Sequence, residues 1–390
     1  MAGFNSNLLS AAGSPIMEAV SWVADADIPD NRPLIDLSQA APKLPPPEAM
    51  CRHLAEAMLE QPSAHFYGAV LGNDALRAEI AAQWSSLYAG TISPDQVAIT
   101  AGCNQAFCTA IASVCEPGDN ILLPFPWYFN HKMWLDMAGI DCAPLPCDAA
   151  MLPDPGKVEA LLTPRTKAIV LVTPNNPTGA EYPEALMLTF FELAKKHGLL
   201  LLVDETYRDF HSQPGAPHSL FQQPDWAETV AHLYSFSKVF RMTGHRTGAL
   251  ITSAARIAQA EKFLDTVTIC PAQSGQIAAL FGLQNLGDWV AEQRDVFRAR
   301  REFLTERMAD ELPGWTLHGA GAYFAWVTPP FGIPSAEMAK RLVQEASLLV
   351  LPGTMFLPNG IPTEALRIAF ANADEAGIAA MIARLKAFSP

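Results

Sequence analysis

The sequence predicts an α/β protein with a mostly parallel sheet flanked by helices, plus a smaller α+β domain. Short runs of leucine and β-branched residues alternate with helical patterns from about residue 50 to 280, and this alternation is typical of parallel sheets. Beyond about residue 285 the pattern changes to a long charged helix and shorter mixed elements. A chain of 390 residues is also longer than a single hydrophobic core usually accommodates, so we expect two domains.

Six strands are expected in the larger domain. One helix between them is predicted to begin near Pro183, because proline suits a first helical turn, and to end near Gly198. The predicted strands are Val97–Thr100, Asn120–Leu123, Ala168–Val172, Leu199–Val203, Val230–Tyr234 and Ala249–Thr252.

The smaller domain is expected to open with an amphipathic helix, Trp289–Leu312. The proline-rich segment before residue 48 is interpreted as an irregular arm that packs with this domain. We therefore predict a large domain at 46–284 and a small domain formed by 1–45 plus 285–390. Its further elements are expected at Tyr323–Val327, Ala336–Ala346 (helix), Leu348–Leu351, Leu366–Phe370 and Glu375–Phe388 (helix).

Composition limits the classes of partner. A net charge of −14 disfavours nucleic acid and anionic membranes. Seven cysteines without a C-x-x-C pair favour a reduced protein, and the first ten residues lack the pattern of a secretory signal. We therefore expect a cytoplasmic location. The nine histidines show no metal-ligand spacing, so no metal site is predicted.

The segment Ser235-Phe236-Ser237-Lys238 is followed by Gly244, Arg246 and Gly248. A lysine forms an imine with an aldehyde cofactor when its amine is neutral, and partial burial beside a cation lowers its pKa. Arg246 and the serines would then hold the cofactor's phosphate. The alternative is an ordinary surface lysine, and the local sequence favours the catalytic interpretation.

Several polar residues follow predicted strands, where open α/β sheets bind ligands. Gly102, Cys103 and Asn104 form a glycine turn before a helix, which suits a phosphate, although such turns are common without ligands. Asp204 at a strand end could keep a pyridine nitrogen protonated, and Tyr207 could donate to a phenolate oxygen. A capping aspartate and a half-buried tyrosine are the structural alternatives.

Three more positions are candidates for the same cleft. Asn176, in Asn175-Asn176-Pro177-Thr178-Gly179, would point an amide into the cleft, or the segment is a plain turn. Tyr128 offers a flat face for ring stacking or for core packing. Arg367 lies in an apolar strand-like run and needs an anion. Its partner is either a substrate carboxylate or an internal salt bridge.

In this order along the chain, the motifs resemble those of the class I/II aminotransferases, which are pyridoxal-phosphate enzymes of fold type I. The resemblance covers about residues 14 to 388. It rests on Asn176-Pro177-Thr178-Gly179, Asp204-x-x-Tyr207, and Ser235-x-Ser237-Lys238 with Gly244-x-Arg246-x-Gly248. It implies an aspartate-aminotransferase-like fold with a seven-stranded type of sheet, and pyridoxal 5'-phosphate as cofactor.

By position, Lys238 corresponds to the Schiff-base lysine and Asp204 to the partner of the pyridine nitrogen. Asn176 and Tyr207 correspond to the partners of the phenolate oxygen. The remaining matches are the stacking aromatic Tyr128, the phosphate-binding residues Gly102, Cys103, Asn104, Ser235 and Arg246, and Arg367 for the substrate α-carboxylate.

Tyr67, in Phe66-Tyr67-Gly68, matches a tyrosine that reaches the neighbouring subunit's phosphate. The resemblance therefore implies a homodimer with shared active sites. Ordinary loop packing is the alternative for this residue. Ala40 is a departure, because many relatives carry glycine at this place near the substrate carboxylate. Its methyl group restricts φ, which leaves the arm's carboxylate contact open.

The predicted function is transfer of an amino group from an L-amino acid to a 2-keto acid in amino-acid metabolism. Ile16, Phe125 and Tyr128 favour a neutral or aromatic amino acid, since no second arginine clearly selects a dicarboxylic one. A carbon–sulfur β-lyase acting on cysteine conjugates uses the same residues and stays an alternative. A non-catalytic regulator and a nicotinamide enzyme are disfavoured, because the chain lacks room for a DNA-binding domain and has no G-x-G-x-x-G after a strand.

Overall fold

The structure is a computed structural model that describes residues 3–389. The strands are β1 (Ile35–Asp36), β2 (Val97–Thr100), β3 (Asn120–Phe125), β4 (Asp141–Pro146), β5 (Thr166–Val172), β6 (Leu200–Asp204), β7 (Val230–Ser235), β8 (Gly248–Ile251), β9 (Thr316–Gly321), β10 (Phe324–Thr328), β11 (Leu348–Leu349), β12 (Leu351–Pro352) and β13 (Leu366–Ile368).

Helices alternate with these strands over much of the chain. They are α1 (Ser6–Ser10), α2 (Pro15–Ala24), α3 (Glu48–Glu60), α4 (Asp74–Tyr88), α5 (Cys103–Ala112), α6 (Phe129–Ala138), α7 (Val158–Leu161), α8 (Glu184–His197), α9 (Trp226–Thr229), α10 (Phe236–Val239), α11 (Ala254–Thr268), α12 (Gln273–Asn285), α13 (Gly287–Glu311), α14 (Ser335–Ala346) and α15 (Glu375–Ala387).

A seven-stranded sheet forms the centre, in the order β2-β8-β7-β6-β5-β3-β4. All neighbours pair in parallel except β8, which is antiparallel to both β2 and β7. The two reversals leave β2 running in the same direction as β7. The carboxyl ends of β2, β3, β5, β6 and β7 therefore meet at one edge. The predicted α/β fold with a mostly parallel sheet is confirmed.

Strand β6 shows why this sheet is buried on both faces. Leu201 and Val203 belong to the core on one side, and Leu200 and Leu202 to the core on the other. A parallel strand covered by helices on both faces has a continuous apolar run rather than an alternating one. This run was the signal that predicted the strand from the sequence.

The six predicted strands are present: β2 matches in full, and the ends of the other five are shifted by at most two residues. The seventh, β4, was missed because Pro144 and Pro146 lie within it. Proline cannot donate to a strand ladder and is tolerated at the edge of a sheet, which is where β4 lies. Helix α8 has Pro183 as its N-cap, one residue before the predicted place. It ends at Gly198, which has a φ of 65° and provides the left-handed C-cap.

A second sheet, antiparallel and in the order β12-β13-β10-β9, packs with α13, α14 and α15. Strand β9 was not predicted, because glycines and a histidine make Thr316–Gly321 a poor strand by composition. The opening segment is less irregular than expected. It contains α1 and α2, and Ser14 caps α2 through the backbone N–H of Met17.

The N-terminal segment contacts the second sheet region in two ways. Strand β1 pairs in parallel with β11, and α2 packs against α14. The domain limits at residues 46 and 285 stay a prediction. Within residues 3–389, none of the helices has the length and apolar character needed to cross a bilayer.

Candidate active site

A cavity of about 450 Å³ opens at the carboxyl edge of the large sheet. It is bounded by the ends of β5, β6 and β7, by the start of α5, and by the N-terminal arm. The structure brings eleven of the predicted site residues to its walls: Ala40, Cys103, Asn104, Tyr128, Asn176, Asp204, Tyr207, Ser235, Lys238, Arg246 and Arg367.

Lys238 lies in the single turn of helix that follows β7. The Ser235 hydroxyl accepts a hydrogen bond of 3.2 Å from the Ser237 N–H and so starts this turn. The Lys238 Nζ donates to the carbonyl oxygen of Ala40. Burial, with the charges of Arg246 and Arg367, lowers the pKa of Lys238 to about 8. At neutral pH, a larger fraction of this amine is therefore uncharged than in an ordinary lysine.

Arg246 forms an anion cradle with the turn before α5. Its guanidinium donates to the Ser237 hydroxyl at 3.3 Å and to the carbonyls of Thr243 and Ala101 at 3.1 and 3.3 Å. Within residues 3–389 it makes no ion pair with a carboxylate. Gly102 has a φ of +82°, and a Cβ there would collide with this guanidinium. Glycine is thus required both by the backbone and by the close approach.

The backbone N–H groups at the start of α5 face the same place as Arg246. Cys103 and Asn104 are the first two residues of this ten-residue helix. The unpaired N–H groups and the positive end of the helix dipole attract an anion such as phosphate. Burial raises the pKa of the Cys103 thiol well above its ordinary value, with the charge of Asp204 adding to the rise. Cys103 is therefore a neutral member of the wall.

Asp204 ends β6 and is 3% exposed. Burial alone would raise its pKa, but contacts to His131 and Thr206 outweigh burial and lower the pKa below the ordinary value. The Nε2 of His131 lies 3.3 Å from a carboxylate oxygen of Asp204. The Thr206 N–H donates to that carboxylate at 3.0 Å. A charged carboxylate is therefore maintained under the cavity.

His131 is the residue that the sequence interpretation missed. Its ring stacks on Phe107 with centroids 3.9 Å apart and contacts the edge of Tyr128 at 5.0 Å. It lies on α6, three residues after Tyr128, which also faces this cavity. That spacing places both on one side of a helical turn, and it was the available signal.

Aromatic rings form the sides of the cavity. The Tyr128 hydroxyl accepts a hydrogen bond from Asn130 at 2.9 Å and lies 3.4 Å from the Asn104 amide oxygen. Tyr207 is 5% exposed and packs against Tyr323. Burial raises the pKa of Tyr128 to about 12 and that of Tyr207 well above its ordinary value. Both hydroxyls therefore stay protonated and can donate.

Arg367, on β13, reaches the cavity from the second sheet. Its Nη1 donates to Asn176 Oδ1 at 3.0 Å, and its Nη2 donates to the Ser38 carbonyl. The buried Nε has no hydrogen-bond partner among the described residues. Burial lowers the pKa of Arg367 to about 10, so the side chain stays charged at neutral pH. Within the described residues it has no carboxylate partner, and the internal salt bridge considered above is not found there.

Ala40 adopts no left-handed conformation, since its φ is not positive. Its carbonyl accepts from Lys238, and the carbonyl of its neighbour Gln39 accepts from Asn372. The methyl group therefore causes no backbone strain at this place. The arm contacts Lys238 and Arg367 through main-chain oxygens.

Three further residues lie outside the cavity. Tyr67 is 80% exposed and lines a separate surface pocket with Phe66 and Gln273. Phe125 packs against Trp127 rather than in the cavity. Arg241 points away from it and donates to Gln293. Of the three side chains taken as evidence for an apolar substrate, Ile16 and Tyr128 line the cavity.

The sequence profile of the family described as aminotransferase class I and II matches residues 32–385. This chain belongs to that family. Transaminase BacF of Bacillus subtilis is 30% identical over 84% of this chain and 82% of its own length. The putative aminotransferase YugH of the same organism is 31% identical over 75% and 77%.

The aminotransferase fold is equally clear from solved structures. The apo-BacF structure from Bacillus subtilis has a TM-score of 0.91, with 27% identity, and the match covers 99% of this chain and 98% of that one. The chain is therefore an aminotransferase of fold type I. Relatives at 28% identity are named for aspartate, aromatic amino acids, or arginine with pyruvate.

Class I and II aminotransferases generally depend on pyridoxal phosphate. The residues of this cavity fit that group on three counts. The cradle of Gly102 and Arg246 suits a phosphate, Asp204 offers a charged carboxylate under the cavity, and Lys238 offers an amine of lowered pKa. The Arg367 Nε has no hydrogen-bond partner among the described residues, so it could donate to the carboxylate of a second molecule.

Proposed function

We propose that this enzyme moves an amino group from an L-amino acid to a 2-keto acid, with pyridoxal 5'-phosphate linked to Lys238. One observation carries the proposal. The Lys238 amine is buried between Arg246 and Arg367, and within residues 3–389 none of the three cations has a carboxylate partner. A buried cation such as Arg367 needs an anion, which a substrate carboxylate would supply, and a phosphate would complement the more exposed Arg246.

The lining of the cavity indicates which residues would bind the cofactor. Arg246, Ser235 and the N–H groups of Cys103 and Asn104 would bind the phosphate, and Gly102 would allow its close approach. Tyr128 would cover one face of the ring, and Asn176 with Tyr207 would contact its phenolate oxygen. Asp204, kept charged by His131, would stabilise a protonated pyridine nitrogen. When bound, the cofactor delocalises the negative charge left at the substrate Cα.

Lys238 would move the proton. With a substrate held beside it, the Lys238 Nζ would take the proton from the substrate Cα as general base and would later return a proton as general acid. A pKa near 8 keeps an appreciable fraction of the amine neutral at physiological pH. Arg367 would hold the substrate carboxylate and so fix the Cα–H bond within reach of Nζ.

For the substrate side chain we propose a neutral or aromatic group. The charged residues that line the cavity are Asp204, Lys238, Arg246 and Arg367, and each already has a role. The remaining walls carry Ile16, Met17 and Phe129 beside the amides of Gln39, Asn104 and Asn130. This set can pack against an uncharged side chain, but it offers no cation for a second carboxylate.

A homodimer with shared active sites is part of the proposal. Tyr67 and Phe66 are 80% and 66% exposed, and large exposed apolar groups side by side are typical of protein interfaces. In the dimer, Tyr67 would contact the cofactor phosphate of the partner subunit. Light scattering should give twice the chain mass of 42.2 kDa. A monomer with full activity would contradict this part.

A cytoplasmic location also stays a proposal. All seven cysteines are free, which suits a reducing compartment. Cys142 and Cys147, which are only five positions apart, are among these free cysteines.

The function is tested by adding a panel of amino acids to the purified holoenzyme. The visible absorbance of the bound cofactor should be lost with substrates, and a 2-keto acid should restore it. Lys238→Ala should lose turnover while keeping its fold, whereas Lys262→Ala, an exposed control, should behave as wild type. Substantial transamination by Lys238→Ala would overturn the assignment. Release of pyruvate and ammonia from a cysteine conjugate, without a keto acid, would indicate a β-lyase instead.

A further inference from the structure

A second cleft, of about 260 Å³, lies on the other side of the N-terminal arm. Gln39 and Ala40 line the main cavity, whereas Pro42, Lys43 and Leu44 line this cleft. The same short stretch of chain therefore separates the two spaces. None of the roles proposed above for the catalytic residues uses the second one.

Three cations line the cleft: Lys43, Arg241 and Arg300. Within residues 3–389 none of them pairs with a carboxylate, although the protein carries a net charge of −14. The carboxylate that lines the cleft, that of Asp374, accepts the Gly377 N–H at 2.8 Å and caps α15. The lining of the cleft therefore carries more positive than negative charge.

The guanidinium groups of Arg241 and Arg300 are held in place by neighbouring residues, but not all of their N–H donors are used. Arg241 donates to Gln293 Oε1 at 2.5 Å and lies 5.1 Å above the Trp289 ring. Arg300 donates to the Ala371 carbonyl at 2.9 Å and lies 5.6 Å above the Phe297 ring. Each guanidinium has five N–H donors in a planar fork, so both keep donors for a ligand.

Tyr323 adds a hydroxyl donor to the lining of the cleft. Its side chain is 1% exposed and lines the cleft, yet its hydroxyl has no hydrogen-bond partner among the described residues. The hydroxyl is not one of the buried polar atoms that lack a partner, so it is open to the cleft and can donate to a ligand there. Burial raises the pKa of Tyr323, and the charges of Arg241 and Arg300 oppose that rise. The hydroxyl and both guanidinium groups line the same cleft.

The backbone at Arg241 is strained. Its φ of 57° lies in the left-handed region, which is unfavourable for a residue that has a Cβ. Glycine would avoid this cost, as would asparagine in part. An arginine kept at such a position, without a carboxylate partner, indicates that its side chain has a use there.

We propose that this cleft binds a small oxyanion, a carboxylate or a phosphate, through Arg241, Arg300 and the Tyr323 hydroxyl. The proposal does not depend on the reaction assigned above. Arg241 follows the Lys238 turn and its N–H donates to the Lys238 carbonyl at 3.3 Å. A bound anion would thus connect that turn to α13 and to the arm residues 42–44.

Calorimetric titration of the protein saturated with pyridoxal phosphate tests the site, with inorganic phosphate and succinate as separate probes. Arg241→Asn tolerates the left-handed backbone, Arg300→Gln removes the second fork, and Tyr323→Phe removes the hydroxyl alone. Arg298→Gln is the matched control, because Arg298 lies on the same helix but pairs with Asp295 at 3.1 Å.

We expect at least one probe to bind wild type and Arg298→Gln equally, and to bind Arg241→Asn and Arg300→Gln about tenfold more weakly or worse. Tyr323→Phe should weaken binding by a smaller factor. Binding of phosphate alone or succinate alone identifies which oxyanion the cleft prefers. Equal binding by all variants would place the anion elsewhere, and no binding of either probe to wild type would equally overturn the proposal.

Discussion

The Nη1 of Arg367 donates a 3.0 Å hydrogen bond to Oδ1 of Asn176. This contact joins the second sheet to the turn that follows β5. Asn175 fixes the same turn, since its Oδ1 accepts from the Thr178 N–H at 3.1 Å and from the Thr178 hydroxyl at 2.8 Å. Arg367 is thus positioned before any substrate arrives, which lowers the entropic cost of binding a carboxylate.

Replacing Arg367 with glutamine should impair carboxylate recognition. Loss of two charge-assisted hydrogen bonds predicts a fall in kcat/KM of about a hundredfold for an α-amino acid, mainly through KM. The measurement compares each amino acid with the amine that lacks its carboxylate. Wild type and the surface control Arg298→Gln should strongly prefer the amino acid. An unchanged preference in Arg367→Gln would exclude this residue as the carboxylate anchor.

Replacing His131 with phenylalanine should move the acid side of the pH–rate profile upward. Phenylalanine keeps the stacking on Phe107, but it removes the contact that holds the pKa of Asp204 below its ordinary value. Without His131, the effect of burial is opposed only by Thr206, so the pKa of Asp204 rises. Its carboxylate then becomes charged only at higher pH. Activity at the optimum should fall about tenfold. An acid limb at the wild-type pH would show that His131 does not act through Asp204.

Cofactor attachment to the apoenzyme should depend on the protonation of Lys238. Its pKa is lowered from 10.5 to about 8, so the amine becomes neutral as the pH rises through 8. Because the neutral amine attacks the aldehyde, the rate of attachment should rise from pH 7 to 9 and then level off. Stopped-flow absorbance measures this rate. A rate that climbs steadily to pH 10.5 would indicate an ordinary lysine.

Glu205, the neighbour of Asp204, should be important for stability. It is fully buried, and its carboxylate accepts from the Tyr88 hydroxyl and lies 2.7 Å from His232 Nε2 and 3.3 Å from His218 Nε2. Burial raises its pKa, but the two histidines outweigh burial and the net pKa is well below the ordinary value.

Glu205→Gln keeps the size of the side chain and removes its charge. Breaking a buried network of this kind costs about 3 kcal/mol, so the midpoint of denaturation should fall clearly. Glu306→Gln, an exposed change on α13, serves as control and should leave the midpoint near wild type. Equal midpoints for the two variants would show that the network contributes little.

The sequence was sufficient for the elements whose patterns are local. The continuous apolar runs predicted the central strands, and the S-x-S-K and D-x-x-Y spacings predicted residues that meet at the cavity. Strand β4 was not predictable in this way, because its place at the sheet edge is what tolerates its prolines. The reversed direction of β8 likewise depends on its neighbours rather than on its own residues.

His131 and Arg241 show the same limit for single side chains. His131 acts through a contact with Asp204, 73 positions further along the chain, and its spacing from Tyr128 indicates a shared helical side but not this partner. Arg241 stands three residues after Lys238, yet it faces a different cleft. Its left-handed φ determines that direction, and the residue type does not indicate it.

The central claim is that Lys238 carries the cofactor. Borohydride reduction of the holoenzyme, followed by peptide mass spectrometry, tests it directly, because reduction makes an imine between lysine and aldehyde permanent. The account predicts the added mass of reduced pyridoxal phosphate on the peptide that contains Lys238, and no such adduct in Lys238→Ala. An adduct on a different lysine, or an equal adduct in Lys238→Ala, would contradict it.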